Sequence, residues 1–322
     1  MNIFYKKLLT GIILELSIFI FLLLVGLFKL YINIYHFYTY AIIIWVSVSF
    51  VFLYTSFIVD KNNRGITASF REYIKFNLIL PLFNALILFG SYVLYKMITN
   101  ISIWSILAVN IVLIALYFVL ISNPISIRKY KDLKSRENDP SIITHDIITM
   151  FIQNKFTPHI KIINTDKLKI ANAAQSKNAY IYLYSYLIDN LNHNELKAII
   201  AHELGHAVMH HNIKGVTTIF VVLIFSLNLI LYPILCRKFY LILIIGFIVL
   251  YVTIFVITPI QQRHYEIKAD LFAAKLAGAN NVITALEKTD KLNDTPSKFS
   301  IFLNLSHPST KRRINIIERA GK

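Results

Sequence analysis

Six long apolar runs dominate the pattern of hydrophobic and polar positions along this chain of 322 residues. Each run has roughly the 20 residues that a helix needs to cross a hydrocarbon core about 30 Å thick. We therefore predict six membrane-spanning helices, at residues 8–31, 37–59, 76–97, 102–121, 217–235 and 239–260. The first run is too long for a signal peptide and no small-residue cleavage site follows it, so we expect it to be retained.

Two polar stretches interrupt the apolar runs and define the expected domains. Residues 1–122 are predicted to form a four-helix transmembrane region, and residues 217–260 a membrane hairpin of two spans. Residues 123–216 and 261–322 flank that hairpin and are expected to form the two halves of one small domain. The first half is mixed in pattern and the second is largely helical. The expected fold is thus a mainly α integral membrane protein with a small α+β cytoplasmic domain.

Composition and charge support a membrane protein and argue against nucleic-acid binding. The chain is 56% hydrophobic with a mean hydropathy of +0.59, which is too apolar for a soluble domain. Its formal net charge is +16, but the positive residues are not gathered on one surface among stacking aromatics. They occupy alternate loops, as Lys6, Lys7, Lys61, Arg64, Arg71, Lys75, Arg128, Lys129, Lys131, Lys134 and Arg136.

Positive charge in every second loop is the positive-inside pattern of membrane proteins. It places the N terminus, the middle region and the C terminus in the cytoplasm. Arg237 and Lys238 conflict with this topology, because they lie in a loop predicted to face outward. The only cysteine is Cys236, which excludes an intramolecular disulfide and a thiolate metal cluster.

The segment 193–211 is predicted to be a helix. Asn192 stands at a cap position and Glu195 follows three residues later, which is the pattern of a capping box. No proline intervenes, and Asn212 with Gly215 is expected to end the helix.

This helix carries the sequence HELGH, which has the spacing of a zinc site. His202 and His206 are four residues apart, so both imidazoles project from the same face. Glu203 lies beside the first histidine, from where its carboxylate can take a proton from a water that the metal activates. Such a pattern arises by chance about once in a hundred chains of this composition, so further ligands are needed to support the prediction.

The third ligand is predicted to be a carboxylate. In metzincins the motif continues to a third histidine, but here Met209 and Asn212 occupy the glycine and histidine positions of that class. His210 and His211 are expected to cap the helix end or to face water.

The first acidic residue after Glu203 is Glu266, and Asp270 follows it by one helical turn. Two spans separate HELGH from Glu266, an even number, so both return to the same side of the membrane. Glu266 is therefore the expected ligand, with Asp270 orienting a ligand imidazole.

Together these motifs resemble the membrane gluzincin metallopeptidases that include the CaaX prenyl proteases and the bacterial heat-shock membrane protease. The resemblance rests on HELGH, on the later segment from Glu266 to Asp270, on "IANAAQS" around Asn172 and on "HPSTKRRI" from His307. It covers the chain from about residue 172 to the C terminus and implies a zincin-like fold for the cytoplasmic domain. One departure is Ala174, where the family usually has an aromatic residue.

The resemblance also implies roles for residues beyond the ligands. Residues 167–175 alternate like a half-buried strand, and the resemblance makes this an edge strand beside the cleft. Asn172 would then bind the substrate backbone by strand addition, or would merely be a turn residue. His307 and Arg313 could donate to the oxyanion of the reaction, or could serve in a surface ion pair or a helix start.

The sequence thus predicts a membrane zinc endopeptidase with one Zn²⁺ per chain, held by His202, His206 and Glu266, with Glu203 as the base. The expected site faces the cytoplasm of a bacterial or archaeal cell membrane, and the expected substrates are membrane-associated proteins or peptides. Quality control of membrane proteins is the favoured role, and processing of prenylated or signal peptides remains open. A gluzincin-based signal transducer is the alternative from another class, although the predicted outer loops are too short for a sensor domain.

The polar residues within the predicted spans have two interpretations. Glu15, Asn84, Asn110 and Asn228 could line a substrate path, because polar groups in lipid are costly. We favour the interpretation that the asparagines link neighbouring helices by hydrogen bonds.

Overall fold

The computed structural model divides the chain into two compact units, Met1–Asn100 and Ile101–Lys322. It describes residues 47, 50–51, 53–62, 65–77, 103–122, 135–137, 142–176, 179–236, 242, 245–246, 248–249, 252–293 and 308–321. The predicted span 8–31 lies outside these residues, and the spans 37–59, 76–97 and 239–260 lie within them only in part.

In the described part of the first unit, helical residues pack around the buried carboxylate of Asp60. Helix α1, Phe70–Asn77, begins after Ser69, whose backbone N–H donates to the Glu72 carboxylate at 2.8 Å. Tyr73 on this helix donates its hydroxyl hydrogen to the buried Asp60 at 2.8 Å, which satisfies one oxygen of that side chain.

The described second unit is mostly helical and contains one small sheet. Its helices are α2 (Ile103–Ser122), α3 (His145–Gln153), α4 (Ser185–Ile188), α5 (His193–Val208), α6 (His211–Cys236), α7 (Thr258–Ala277), α8 (Ala279–Leu292) and α9 (Thr310–Ala320). A π-helical turn, Thr253–Ile257, leads directly into α7. The strands are β1 (Ser135–Glu137), β2 (His159–Ile163), β3 (Ala173–Gln175) and β4 (Tyr180–Tyr184).

The sheet has the order β1-β2-β4-β3, so β3 is an edge strand. Strand β2 pairs with β4 in parallel, whereas β3 pairs with β4 antiparallel, with Ala173 opposite Leu183. The strand is shorter than the predicted 167–175, because residues 166–169 form a turn in which Lys169 adopts a left-handed φ of 48°. Only the last three residues of the predicted strand therefore enter the ladder.

Helix α5 begins as the sequence predicts. The Asn192 side chain accepts from the backbone N–H of Glu195 at 2.9 Å, and the Glu195 carboxylate accepts from the backbone N–H of Asn192 at 2.9 Å. Burial alone would raise the pKa of Glu195. The bonds from Lys288, at 2.7 Å, and from Asn192 outweigh burial and hold that pKa below its usual value.

Helix α5 ends earlier than predicted, at Val208 instead of residue 211. His210 adopts a left-handed φ of 54°, which breaks the helical path, and α6 begins at the next residue. Gly215 does not end a helix as expected but lies inside α6. The prediction failed here because two good helix-forming segments follow each other with a turn of only two residues.

Helix α5 packs between the core and helix α7. Leu196, Ile200 and Leu204 are buried on its apolar side in the cluster that includes the sheet residues. On the side of α7, a Cβ added at Gly205 would lie 3.0 Å from Phe272 Cδ1 and 3.3 Å from Ala269 Cα. The absence of a side chain at this position allows the two helices to approach closely.

Among the described residues, one helical segment, His211–Leu229, is long and apolar enough to cross a membrane. Ile106–Phe118 in α2 is a shorter apolar segment that packs beside it. Between these two helices Asn110 and Asn228 donate amide hydrogens to each other's side-chain oxygens, at 3.1 and 2.9 Å. This reciprocal pair is the interhelical link that we favoured for these asparagines.

The close approach of α5 and α7 generates a stability prediction. Gly205→Ala should lower the free energy of unfolding by about 1–2 kcal/mol, because overpacking against the Ala269 backbone exceeds the gain of about 1 kcal/mol in helix propensity. Gly215→Ala is the matched control. There the added Cβ meets only the end of the flexible Gln262 side chain, at 3.0 Å.

The control should leave stability unchanged or raise it by up to about 1 kcal/mol. Denaturant unfolding of the detergent-solubilised chain measures both variants. Equal effects at the two glycines would contradict the packing account.

Candidate metal centre

Three predicted side chains from two helices meet at one point. Helix α5 contributes His202 and His206, whose Nε2 atoms lie 3.1 Å apart. Helix α7 contributes Glu266, whose Oε2 lies 3.5 Å from His202 Nε2 and whose Oε1 lies 3.4 Å from His206 Nε2. One ligand atom from each residue lies within 4.8 Å of the others.

The spacing of these donor atoms fits a zinc ion. Ligand atoms about 2.0–2.1 Å from a tetrahedral ion lie about 3.3 Å from one another. The two Nε2 atoms lie 3.1 Å apart, and each faces a different oxygen of the Glu266 carboxylate, Oε2 at 3.5 Å from His202 and Oε1 at 3.4 Å from His206, so both imidazoles and the carboxylate approach each other at close to that distance. Two imidazole nitrogens and one carboxylate oxygen are also a donor set that zinc prefers and that leaves one tetrahedral position for water or substrate.

The far side of the first imidazole contacts an ion pair. Nδ1 of His202 lies 3.0 Å from Oδ1 of Asp270, which is almost completely buried. Arg313, on α9, donates from Nε and Nη2 to the two oxygens of Asp270, at 2.7 and 2.6 Å. The same Nη2 is 3.5 Å from Glu266 Oε2. The contacts of this guanidinium orient both carboxylates of the site.

The carboxylates make this site favourable for positive charge. Burial lowers the pKa of His202, but hydrogen bonds to Asp270 and Glu266 outweigh it and raise that pKa to about 10. Burial raises the pKa of Glu266, and the hydrogen bonds from His202 and His206 with the charge of Arg313 hold it well below its usual range. The pKa of Asp270 is also lowered, because Arg313 outweighs the effect of burial. A field that favours a proton on His202 also favours a metal cation there.

The centre opens into a cavity of about 420 Å³. Its polar wall includes Glu203, which lies half-buried next to His202, and Asn172, which lies exposed just before edge strand β3. Its apolar lining includes Leu187, Ala198, Val282, Ala285 and Leu286. The cavity thus combines a metal-binding corner, a carboxylate that can act as a base and room for an apolar side chain.

The structure brings most of the predicted site residues together. His202, Glu203, His206, Glu266, Asp270, Asn172 and Arg313 all line the cavity. Arg313 is engaged by Asp270, and its predicted role at an oxyanion stays a prediction. His307 lies outside the described residues.

The expectation for His211 was wrong. This residue is 3% exposed and faces the site, whereas His210 is exposed as expected. No signal of helical periodicity could have found it, because five residues along a continuous helix do not return to the same face.

Comparison with known proteins agrees with this arrangement. Residues 139–320 match the family described as Peptidase family M48. Protease HtpX of Pseudoalteromonas atlantica is 27% identical over 177 residues, covering 46% of this chain and 60% of that protein. Protease HtpX of Buchnera aphidicola subsp. Baizongia pistaciae is 30% identical over 201 residues, covering 50% of this chain and 66% of that protein. The match thus spans somewhat less than two thirds of these relatives.

The fold has a counterpart among solved structures. The crystal structure of S. mikatae Ste24p superposes with a TM-score of 0.59 at 18% identity, covering 87% of this chain and 73% of that one. The family resemblance drawn from HELGH and the Glu266 segment is confirmed by the matched residues, which make up more than half of the chain. The chain belongs to peptidase family M48.

Proposed function

We propose that this chain is an integral membrane zinc endopeptidase that hydrolyses peptide bonds of membrane-associated proteins or peptides. The observation that carries the proposal is the convergence of His202 Nε2, His206 Nε2 and the Glu266 carboxylate, with one ligand atom from each within 4.8 Å of the others, in the cavity that Glu203 also lines. Membership of a peptidase family gives the reaction class. One Zn²⁺ per chain is the expected cofactor.

The proposed chemistry assigns one task to each group. Zn²⁺, when bound, supplies a Lewis acid that acidifies water and polarises a peptide carbonyl. Glu203 takes a proton from the water while the water oxygen forms a bond to the carbonyl carbon of the peptide. As the C–N bond then breaks, Glu203 gives that proton to the leaving amine. Water is the only other reactant, and the products are a carboxylic acid and an amine.

Edge strand β3 supports a mode of substrate binding. The backbone bonds Tyr184 N–H to Asn172 O, at 3.1 Å, and Ser176 N–H to Tyr180 O, at 2.8 Å, fix which residues face β4. The alternation of an antiparallel ladder then turns the backbone groups of Ala173 and Gln175 to the open edge. An extended peptide could pair there, with Asn172 at the start of the strand binding its backbone as predicted.

The apolar surface of the second unit supports a membrane location. Large hydrophobic side chains are exposed on α2 and α6, among them Ile111, Phe118, Val221 and Phe225. Exposing such surfaces to water costs free energy, whereas lipid chains can cover them without that cost. We propose that residues 217–260 form the inserted hairpin, that residues 123–216 and 261–322 form one peptidase domain, and that this domain faces the cytoplasm.

The relatives support a proteolytic role for this chain. Two of the similar proteins are named Protease HtpX, and the similarity covers the peptidase part of this chain. Degradation of membrane proteins in quality control, the role favoured on the sequence, stays our proposal for its biological task. The cavity volume of about 420 Å³ and the apolar residues in its lining are consistent with apolar side chains in the substrate.

The first test replaces the proposed base. Glu203→Gln should keep about one zinc per chain and lose about 10²–10⁴-fold in peptidase activity, because the amide cannot accept the proton. Metal analysis and cleavage of fluorescently labelled casein by the full chain in detergent measure the two effects. Glu287→Gln, at an exposed position of α8, is the matched control and should change neither. Full activity of the Glu203 variant would rule out the mechanism.

The second test concerns the ion pair behind the metal centre. Arg313→Met should lower the free energy of unfolding by about 3–5 kcal/mol, because it leaves Asp270 buried without its partner. Asp270→Asn alone should also lower it, because the buried guanidinium of Arg313 then lacks its carboxylate partner. The double variant should lower the free energy of unfolding by clearly less than the sum of the two single effects, since the two groups form one ion pair. Additive costs, measured by denaturant unfolding in detergent, would show that the pair is not coupled.

A further inference from the structure

His211 is a buried histidine that contacts the metal centre without belonging to its ligand set. It is the first residue of α6, and its Nδ1 lies 2.9 Å from Nδ1 of His206. Its ring stacks on Tyr265 of α7, with centroids 4.1 Å apart and planes 11° apart. The Tyr265 hydroxyl in turn accepts a hydrogen bond from Gln261 at 2.7 Å. These contacts fix the ring in one orientation beside the ligand.

The break between α5 and α6 is what brings this ring to the site. On a continuous helix a residue five positions after His206 would be rotated about 140° from it and would face away. Instead α5 ends at Val208, and His210 takes a left-handed φ of 54°, which is unfavourable for any residue with a Cβ. The strained residue, His210, is thus the one at which the chain turns and brings His211 back towards His206.

The position of the proton follows from the geometry. His206 directs Nε2 towards His202 Nε2 and Glu266, so Nε2 is the nitrogen that is available to a metal. A neutral imidazole that binds metal through Nε2 carries its hydrogen on Nδ1. His211 Nδ1 is the atom positioned to accept that hydrogen, and His211 then carries its own proton on Nε2.

The two ligand histidines are therefore supported in the same way by different groups. Asp270 lies 3.0 Å from Nδ1 of His202, and His211 lies 2.9 Å from Nδ1 of His206. We propose that His211 is a positioning residue that fixes the tautomer and ring orientation of His206 for metal binding. This inference rests on the proposed zinc site of His202, His206 and Glu266, and it assigns no direct contact between His211 and the metal.

The test compares zinc affinity in variants that differ in one acceptor atom. His211→Leu and His211→Asn are nearly equal in size, but only the asparagine offers an oxygen to His206 Nδ1–H. Removing a partner of a ligand histidine typically weakens metal binding 10–100-fold. We expect that loss for the leucine variant and a loss of less than about 5-fold for the asparagine variant. Competition with a chromophoric chelator, on the full chain in detergent, measures the affinity.

Two further variants separate positioning from folding. His211→Phe keeps the ring stack on Tyr265 but has no acceptor, so it should lose affinity like the leucine variant, and it replaces that variant if leucine does not fold. His210→Gly keeps His211 and relieves the left-handed strain, so its zinc affinity should stay within about 2-fold of wild type. Thermal unfolding of the zinc-free proteins checks that each variant is folded.

The outcomes distinguish this inference from the function on which it rests. Zinc binding as tight as wild type in both the leucine and phenylalanine variants would overturn the role of His211 and leave the proposed function intact. Equal losses in the asparagine and leucine variants would also overturn it, since the acceptor would then be irrelevant. A wild-type chain that binds no zinc would overturn the proposed function itself.

Discussion

The close packing of helix α5 against helix α7 is the constraint on which the candidate metal centre depends. The two imidazoles come from one helix and the carboxylate from the other, so their spacing is set by the distance between the helix axes. Gly205 lies in this interface, where a Cβ would meet Phe272 and Ala269 at 3.0 and 3.3 Å. Gly205, the glycine of the HELGH motif, thus permits the close helix spacing that the three ligands require. A wider spacing would leave donors that no single ion could bridge.

The charges around this interface explain why several elements converge on it. Glu266 and Asp270 are both buried, and two buried carboxylates are stable only with positive partners. Arg313 supplies one such partner from α9, the C-terminal helix. A metal cation would supply the other, and His211 and Asp270 each lie behind one ligand ring to orient it. The site therefore joins residues that precede the apolar segment 217–260 in the sequence with residues that follow it.

Local patterns were enough to predict the parts of the fold that carry the chemistry. The capping box at Asn192, the spacing of HELGH and the turn between Glu266 and Asp270 are short-range features that the helical period determines. The tertiary contacts were not predictable in this way. The left-handed turn at His210 and the late start of β3 occur where the chain contacts distant segments, with His211 stacked on Tyr265 and the Ala171 backbone bonded to Asn293. The engagement of Arg313 by Asp270 likewise joins residues 43 positions apart. The burial of His211 beside His206 was not predicted for the same reason.

X-ray absorption at the zinc edge, on the purified full chain, tests the central claim most directly. The account predicts a first shell of nitrogen and oxygen atoms at about 2.0–2.1 Å with the scattering signature of two imidazoles and no sulfur. In the Glu266→Ala variant the shell should lose an oxygen while both imidazoles remain. A shell with one imidazole or none, or a spectrum unchanged by the Glu266 variant, would contradict the site assigned to His202, His206 and Glu266.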